Sequence, residues 1–213
     1  VASSKELYLG KYEIREITAP HGMVLNGTIQ TVELTYAGQE VAITETAGNL
    51  YNERQKVKIS LSKVLEQNEL FGIGMNGELK NIIFGLYAKT DLVADDGTVI
   101  PAGGLIEIVT FDDNGMATVS ADLPLGSYYL QERSTDEHYI LDDTHYEFEF
   151  SYGSQETHMV EISVNGGDPI KNDLKYGMIS GRKVDEDGHV IAGAIFGLFR
   201  NDENEYTAEN AYL

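Results

Sequence analysis

The sequence predicts an all-β protein of the β-sandwich type, arranged as tandem domains. Apolar and polar residues alternate with a period of two, most clearly in residues 146–150, where aromatic and acidic side chains take turns. Clusters of Gly, Asp, Asn and Pro separate these runs, as turns separate strands. Several short motifs also occur twice along the chain. Together these observations indicate antiparallel sheets, each with one buried face, in repeated units.

Seven runs alternate clearly enough to be assigned as strands. They are residues 31–36, 57–64, 82–87, 105–111, 128–132, 146–150 and 159–164. Turns are expected between them at His21-Gly22, at 95–97, at 101–104, at 113–115, at 165–168 and at Asp187-Gly188. Only residues 204–213 show a helical pattern, and it is weak.

Three motifs occur twice, in the same order. They are residues 10–16 (GKYEIRE) and 126–132 (GSYYLQE), 59–64 (ISLSKV) and 179–184 (ISGRKV), and 83–87 (IFGLY) and 195–199 (IFGLF). In the middle of the chain the order is ISLSKV, then IFGLY, then GSYYLQE. Residues 1–54 hold only the last of these motifs, and residues 176–213 hold only the first two. We therefore expect one complete domain at 55–175, the C-terminal part of a domain at 1–54, and the N-terminal part of another at 176–213.

Charge and composition exclude several classes of function. The chain has 15 Lys and Arg against 35 Asp and Glu, a net charge of −20, so we expect it to bind neither nucleic acid nor an anionic membrane surface. No apolar run is long enough to cross a membrane. There is no Cys for disulfides, thiolate metal sites or thiol nucleophiles. The five His lack zinc spacing, and the Gly-rich segment at 72–77 precedes a strand-like run rather than a helix. We expect no cofactor, no metal and no enzymatic turnover.

Polar residues occupy inward positions in the predicted strands. Lys63 follows Val57, Ile59 and Leu61 at steps of two, and Glu132 follows Tyr128 and Leu130 in the same way. Asn172 shares a face with Ile170 and Leu174, while Glu16 and Asn52 occupy the matching positions of residues 1–54. Buried charges are costly unless they are paired, so Lys63, Glu132 and Asn172 are expected to meet. The spacing of 11 from Asn52 to Lys63 recurs from Asn172 to Lys183.

These motifs resemble the collagen-adhesin B-type domains (SpaA-like, prealbumin-like) of Gram-positive surface adhesins and pilins. The resemblance rests on Lys183-Val184-Asp185, on the segment 194–199 (AIFGLF), and on residues 10–16 followed by 18–22 (TAPHG). The middle domain departs from the pattern at 133–137 (RSTDE), where an Ala-Pro-x-Gly turn is expected. Its first loop is also longer, with 21 residues from Lys63 to Phe84.

The resemblance implies an autocatalytic isopeptide bond between Lys63 and Asn172, with Glu132 as the catalytic acid. The chemistry agrees, because desolvation lowers the pKa of a lysine and raises that of a glutamate, so that a buried pair can hold the amine neutral and nucleophilic. A protonated Glu can then polarise the Asn carboxamide and carry protons to the departing ammonia. This would be single-turnover self-modification. The alternative is a buried Lys–Glu ion pair with Asn as a hydrogen-bond partner.

The resemblance also implies a structural role in the stalk of a cell-surface adhesin or pilus-like fibre. The chain would then be extracellular, on a wall-anchored protein of a Gram-positive bacterium, with neighbouring domains or copies of itself as partners. The alternative is an adhesin module whose loop at 66–80 or Gly103-Gly104 contacts a host extracellular-matrix protein. Lys183, Glu16 and Asn52 would form a second triad. Either the two partial domains belong to separate neighbours, or they complete each other head to tail between chains.

Overall fold

The computed structural model describes residues 3–41, 47–94, 96–201 and 206–211. Two compact units divide the chain, Val1–Lys175 and Tyr176–Leu213. The predicted all-β class is confirmed, since the described residues form twelve strands and only two short 3₁₀ turns, at Glu78–Asn81 and Val164–Gly167. The strands are β1 (Gly10–Ile14), β2 (Gln30–Leu34), β3 (Lys56–Leu65), β4 (Ile83–Ala88), β5 (Leu92–Val93), β6 (Val99–Ile100), β7 (Leu105–Thr110), β8 (Met116–Ala121), β9 (Gly126–Ser134), β10 (Tyr146–Phe150), β11 (Met159–Ser163) and β12 (Ile170–Asn172).

Two four-stranded sheets form the sandwich in the middle of the chain. The first has the order β10-β9-β4-β7 and is antiparallel throughout. In the second sheet, β3 pairs antiparallel with β8 and parallel with both β11 and β12. Core side chains such as Ile59, Phe84 and Leu130 lie between the sheets without exposure to solvent. The first and last strands of this sandwich, β3 and β12, are therefore direct neighbours and run in the same direction.

The long strand β3 shows how the sequence pattern produces burial. Its residues alternate between the core and the outer surface, and Val57, Ile59, Leu61 and Lys63 all face inward. The alternation has a period of two because successive side chains of a strand point to opposite faces. Lys63 thus takes the last fully buried position of a face that is otherwise apolar.

The pair β1–β2 repeats the pair β9–β10. Gly10 pairs with Leu34 as Gly126 pairs with Phe150. The hydroxyl of Tyr12 donates to the carbonyl oxygen four residues earlier, and the Tyr128 hydroxyl does the same. The sequence repeat is therefore a repeat of structure.

Hydrogen bonds join residues 1–54 to the sandwich. Gln55 is buried, donates to the carbonyl oxygens of Ser154 and Thr157, and accepts from the backbone N–H of Gly153. The backbone N–H of Ala19 donates to the side chain of Gln155 at 3.0 Å. The backbone N–H of Gln55 donates to the Gly22 carbonyl at 2.9 Å, and that of Leu25 donates to the Gln155 carbonyl at 2.7 Å, so specific contacts fix residues 19–25 against the sandwich.

All seven predicted runs coincide with strands to within two residues at each end, namely β2, β3, β4, β7, β9, β10 and β11. The strand β8 and the short pair β5–β6 were not predicted, because residues 116–121 carry small and hydroxylated side chains and β5–β6 is only two residues long on each side. In the second unit the predicted turn is present, closed by the Asp185 N–H donating to the His189 carbonyl. The weak helical pattern at 204–213 lies partly outside the described residues, and residues 206–211 form no helix.

Candidate functional site

Three strands bring the predicted polar residues together in the core. In the pairing of β12 with β3, Ile170 lies opposite Lys63 and Asn172 lies opposite Leu65. Lys63 and Asn172 are thus diagonal neighbours on one face, within the reach of a long side chain. Glu132 comes from β9 in the facing sheet, where it pairs with Phe84.

The three side chains share one buried contact. The Nζ of Lys63 lies 3.6 Å from Oε1 of Glu132, and both side chains are fully buried. The Nδ2 of Asn172 donates to Oε1 and Oε2 of the same carboxylate at 3.1 and 3.0 Å. Residue exposure is 1% for Lys63, 3% for Glu132 and 1% for Asn172. The aromatic ring of Phe84 lies under the amine, 5.3 Å from Nζ to the ring centre. The carboxylate thus contacts both the amine and the amide.

Burial shifts the Lys63 amine toward its neutral form. Burial lowers the pKa of Lys63, and the charges of Glu132 and Asp142 oppose that shift only in part. Among the described residues, Nζ has no hydrogen-bond partner, and neither has Oδ1 of Asn172. A buried ammonium without hydrogen bonds is costly, so the neutral and nucleophilic form is stabilised relative to water.

A second carboxylate lies behind Glu132. The backbone N–H of Asp142 donates to Oε2 of Glu132 at 2.7 Å, which fixes the carboxylate position. The side chain of Asp142 accepts from the hydroxyl of Tyr146 at 2.6 Å. Burial acts to raise the pKa of Asp142, but hydrogen bonds from Thr144 and Tyr146 and the charge of Lys63 outweigh it and lower the pKa. A negative charge therefore persists near the amine.

The geometry supplies the parts of an acyl-transfer reaction. Lys63 offers a nucleophile of lowered pKa, the Asn172 carboxamide is the electrophile, and the carboxyl group of Glu132 touches both. Fixed proximity of this kind can supply roughly 7–11 kcal/mol of a barrier.

Residues 1–54 contain a second Glu–Asn pair with matching contacts. Nδ2 of Asn52 donates to Oε2 of Glu16 at 2.6 Å and to the Val24 carbonyl at 2.9 Å, as Nδ2 of Asn172 donates to Glu132 and to the Ile140 carbonyl. The backbone N–H ten residues after the glutamate donates to it in both places. Among the described residues, no lysine nitrogen lies within ion-pair distance of Glu16. Lys183 lies in the second unit, where its side chain is exposed.

Sequence reasoning missed three contributors to the middle site. Nδ2 of Asn172 also donates to the Thr135 hydroxyl at 3.1 Å and to the Ile140 carbonyl at 2.9 Å, and Asp142 holds Glu132 as described above. A signal existed only for Thr135, which lies in the segment 133–137 that departs from the expected Ala-Pro-x-Gly turn. The Ile140 carbonyl and the Asp142 N–H belong to the backbone, and side-chain patterns do not reveal such contacts.

Other kinds of site find no support in the residues that the structure describes. They hold no cluster of three or more His, Cys, Asp or Glu side chains placed to bind a metal ion. They also include no helix of the length and hydropathy needed to cross a membrane.

Several solved structures match this chain in part, among them two pilus proteins. One match is the TIE protein of Bacillus anthracis, with a TM-score of 0.48 and 20% identity over 87% of this chain and 32% of that one. Another is BcpA, the major pilin subunit of Bacillus cereus, with a TM-score of 0.30 and 21% identity over 55% of this chain and 29% of that one. A third is the group B streptococcus pilus 2b backbone protein, with a TM-score of 0.38 and 17% identity over 68% of this chain and 48% of that one. The chain thus spans less than half the length of each. No curated protein matches it in sequence.

The family model of the SpaA prealbumin-like fold domain matches residues 1–47 and 73–166. These residues make up more than half of the chain and include β1, β2 and all of β4–β11. The match agrees with the sandwich topology and with the structural repeat of β1–β2 in β9–β10. The chain belongs to the SpaA family of prealbumin-like fold domains.

Proposed function

We propose that the chain is a structural repeat in the shaft of a Gram-positive surface adhesin or pilus-like fibre, stabilised by an autocatalytic isopeptide bond between Lys63 and Asn172. The observation that carries this proposal is the contact of Glu132 with both the buried amine and the buried amide. Membership of the SpaA family supports the structural role. The protein would act outside the cell, attached to the wall, without enzymatic turnover.

The bond would form in a single reaction between the side chains of Lys63 and Asn172. The neutral Nζ of Lys63 attacks Cγ of Asn172, while the carboxylate of Glu132, which already accepts from Nδ2 of Asn172, takes up the proton that Nζ loses. Glu132 then transfers the proton lost by Nζ to the departing nitrogen. One C–N bond forms, one breaks, and one ammonia leaves.

The strand arrangement gives such a bond a mechanical purpose. Because β3 and β12 are parallel neighbours, force applied to the two ends of the domain would shear their hydrogen bonds. A covalent link from Lys63 to Asn172 would carry that force directly. The roughly 110 residues between them would then be protected from extension.

Single-molecule stretching of the whole chain tests this role. We expect the native chain to show no extension from residues 63–172, and Lys63→Ala to gain about 35–40 nm when the sandwich unfolds. Lys58→Ala, which removes a lysine of the outer face of β3, is the matched control and should behave as the native chain. Equal extension in the native chain and Lys63→Ala would refute the mechanical role.

We further propose that residues 176–213 of one copy and residues 1–54 of the next together complete one such domain. The Glu16–Asn52 pair repeats the contacts of Glu132–Asn172, and Lys183 occupies the sequence position of Lys63. Equivalents of core residues support this view, since Phe196 and Ile179 are exposed whereas Phe84 and Ile59 are buried. Head-to-tail joining would yield an open fibre.

A mixing experiment tests completion between copies. Lys183→Arg keeps the Glu16–Asn52 pair but cannot form an amide, and Asn52→Ala keeps Lys183 but lacks the electrophile. The native chain should give a ladder on a denaturing gel, each variant alone should stay monomeric, and their mixture should stop at a dimer. Monomers only in the native chain would show that the partial domains belong to separate neighbours.

The alternative function is an adhesin module, and the loop after β3 favours it. Leu70 and Met75 are exposed, while the backbone of that loop is held by the Asn68–Ile73 bridge and by Glu78, whose carboxylate accepts from two backbone N–H groups. Solid-phase binding to extracellular-matrix proteins discriminates the two functions. A shaft repeat should bind none, whereas binding lost in a Leu70→Ser/Met75→Ser variant would support the adhesin.

A further inference from the structure

The nitrogen of the Asn172 side chain has more acceptors than it has protons. Three groups surround Nδ2, namely the carboxylate of Glu132, the hydroxyl of Thr135 at 3.1 Å and the carbonyl of Ile140 at 2.9 Å. The two carboxylate oxygens lie at nearly equal distances, so one N–H can be shared between them. A carboxamide nitrogen carries two N–H groups, which leaves one acceptor group unused in the unreacted protein.

We propose that Glu132, Thr135 and the Ile140 carbonyl form a leaving-group pocket, which holds the nitrogen of Asn172 as it departs as ammonia. The inference rests on the proposed isopeptide bond and identifies Thr135 as a further catalytic residue of that reaction. Its hydroxyl accepts a hydrogen bond from the atom that leaves.

The number of acceptors matches the departing group rather than the starting amide. As the bond from Nζ to Cγ forms, Nδ2 loses its conjugation with the carbonyl and takes up the proton that Glu132 carries from Nζ. It then has three N–H groups, one for each acceptor group of the pocket. A contact completed only at departure stabilises the transition state more than the ground state, and such contacts increase rate. The products are the Lys63–Asn172 amide and one free ammonia.

Thr135 is not a common feature of the two Glu–Asn sites. The offset of 116 residues that relates Glu132 to Glu16 relates Thr135 to Ala19, which has no acceptor in its side chain. The pair Asn52–Glu16 keeps the equivalent carbonyl contact, to Val24, but lacks the hydroxyl. The hydroxyl is thus a specific addition to the middle site.

The rate of bond formation on folding tests the proposal. Unfolded, unreacted chain is recovered from inclusion bodies in denaturant, diluted to start folding, quenched in acid at intervals and weighed by mass spectrometry. Thr135→Val keeps the shape of the side chain and removes the acceptor, and should slow ammonia loss by about tenfold, the effect of one hydrogen bond of about 1.4 kcal/mol. Thr135→Ser should retain the native rate.

The same comparison in an Asn172→Asp background separates catalysis from structure. There the departing group is water, which carries one hydrogen fewer than ammonia. Glu132 and the Ile140 carbonyl can then accept both of its O–H groups, so Thr135→Val should change the rate of water loss little. Equal rates for Thr135→Val and the native chain would overturn the inference, as would equal slowing in both backgrounds. A native chain that loses no ammonia at all would instead refute the proposed bond itself.

Discussion

Replacing Lys63 and Glu132 together would isolate the contribution of the cross-link to stability. Lys63→Met alone also leaves the buried acid of Glu132 without the nitrogen that it contacts, which costs free energy of its own. The double variant Lys63→Met/Glu132→Gln replaces that acid by a neutral amide, so the loss of the bond is the main change. A bond from Lys63 to Asn172 closes a loop of about 110 residues, for which the chain-entropy estimate is about 5 kcal/mol at 25 °C. For a domain of roughly 120 residues this corresponds to about 20 °C in Tm.

Denaturant and thermal unfolding measure this difference. The chain has 13 Tyr and no Trp, so tyrosine fluorescence and circular dichroism follow the transition. We expect the double variant to unfold about 20 °C below the native chain, and Lys63→Met to unfold lower still. Equal midpoints for the native chain and the double variant would refute the reasoning, because no cross-link would then restrict the unfolded state.

Three further predictions concern the surroundings of the site. Asp142→Asn removes a charge that raises the pKa of Lys63, so the amine should become neutral, and the bond should form faster, at a lower pH than in the native chain. Asp143→Asn, at an exposed neighbouring residue, is the control. An unchanged dependence of the rate on pH in Asp142→Asn would contradict the prediction. In Asn172→Ala the amine stays free, and the folded pKa of Lys63 is lowered from 10.5 by burial. Between the folded pKa and 10.5 the unfolded state binds more protons, so stability should increase as the pH rises through that interval. The native chain, with Lys63 in an amide, should lack that slope, and parallel curves for the two would count against the bond. Gln55→Ala leaves the Thr157 carbonyl and the Gly153 N–H without their side-chain partner, while the Ser154 carbonyl keeps its bond from the Thr157 N–H. It should lower the free energy of unfolding by about 1–2 kcal/mol, against less than about 1 kcal/mol for Lys89→Ala in an exposed ion pair, and equal effects would show that the Gln55 side chain does not stabilise the fold.

The sequence predicted the fold class well because alternation with a period of two is a strong signal wherever one face of a strand is buried. Lys63 and Glu132 stood out for the same reason, since each continues an apolar face on which a charge is unexpected. The strand β8 was missed because its alternating residues, such as Ala117 and Thr118, differ little in polarity. Its burial depends on its pairing with β3, a contact between distant parts of the chain.

The site was predictable in its titratable members and not in its supporting contacts. The backbone N–H of Asp142 and the carbonyl of Ile140 act independently of their side chains, so no residue pattern could identify them. The Thr135 side chain contacts Asn172, but this contact depends on the path of the segment after β9, where the sequence departs from the expected Ala-Pro-x-Gly turn. That path follows from tertiary packing.

The intact mass of the denatured, purified chain tests the central claim most directly. The account predicts a mass lower by one ammonia than the sequence requires, and the full sequence mass for Lys63→Ala and for Glu132→Ala. The full mass in the native chain would contradict it, and the three buried residues would then be an ion pair and its hydrogen-bond partner.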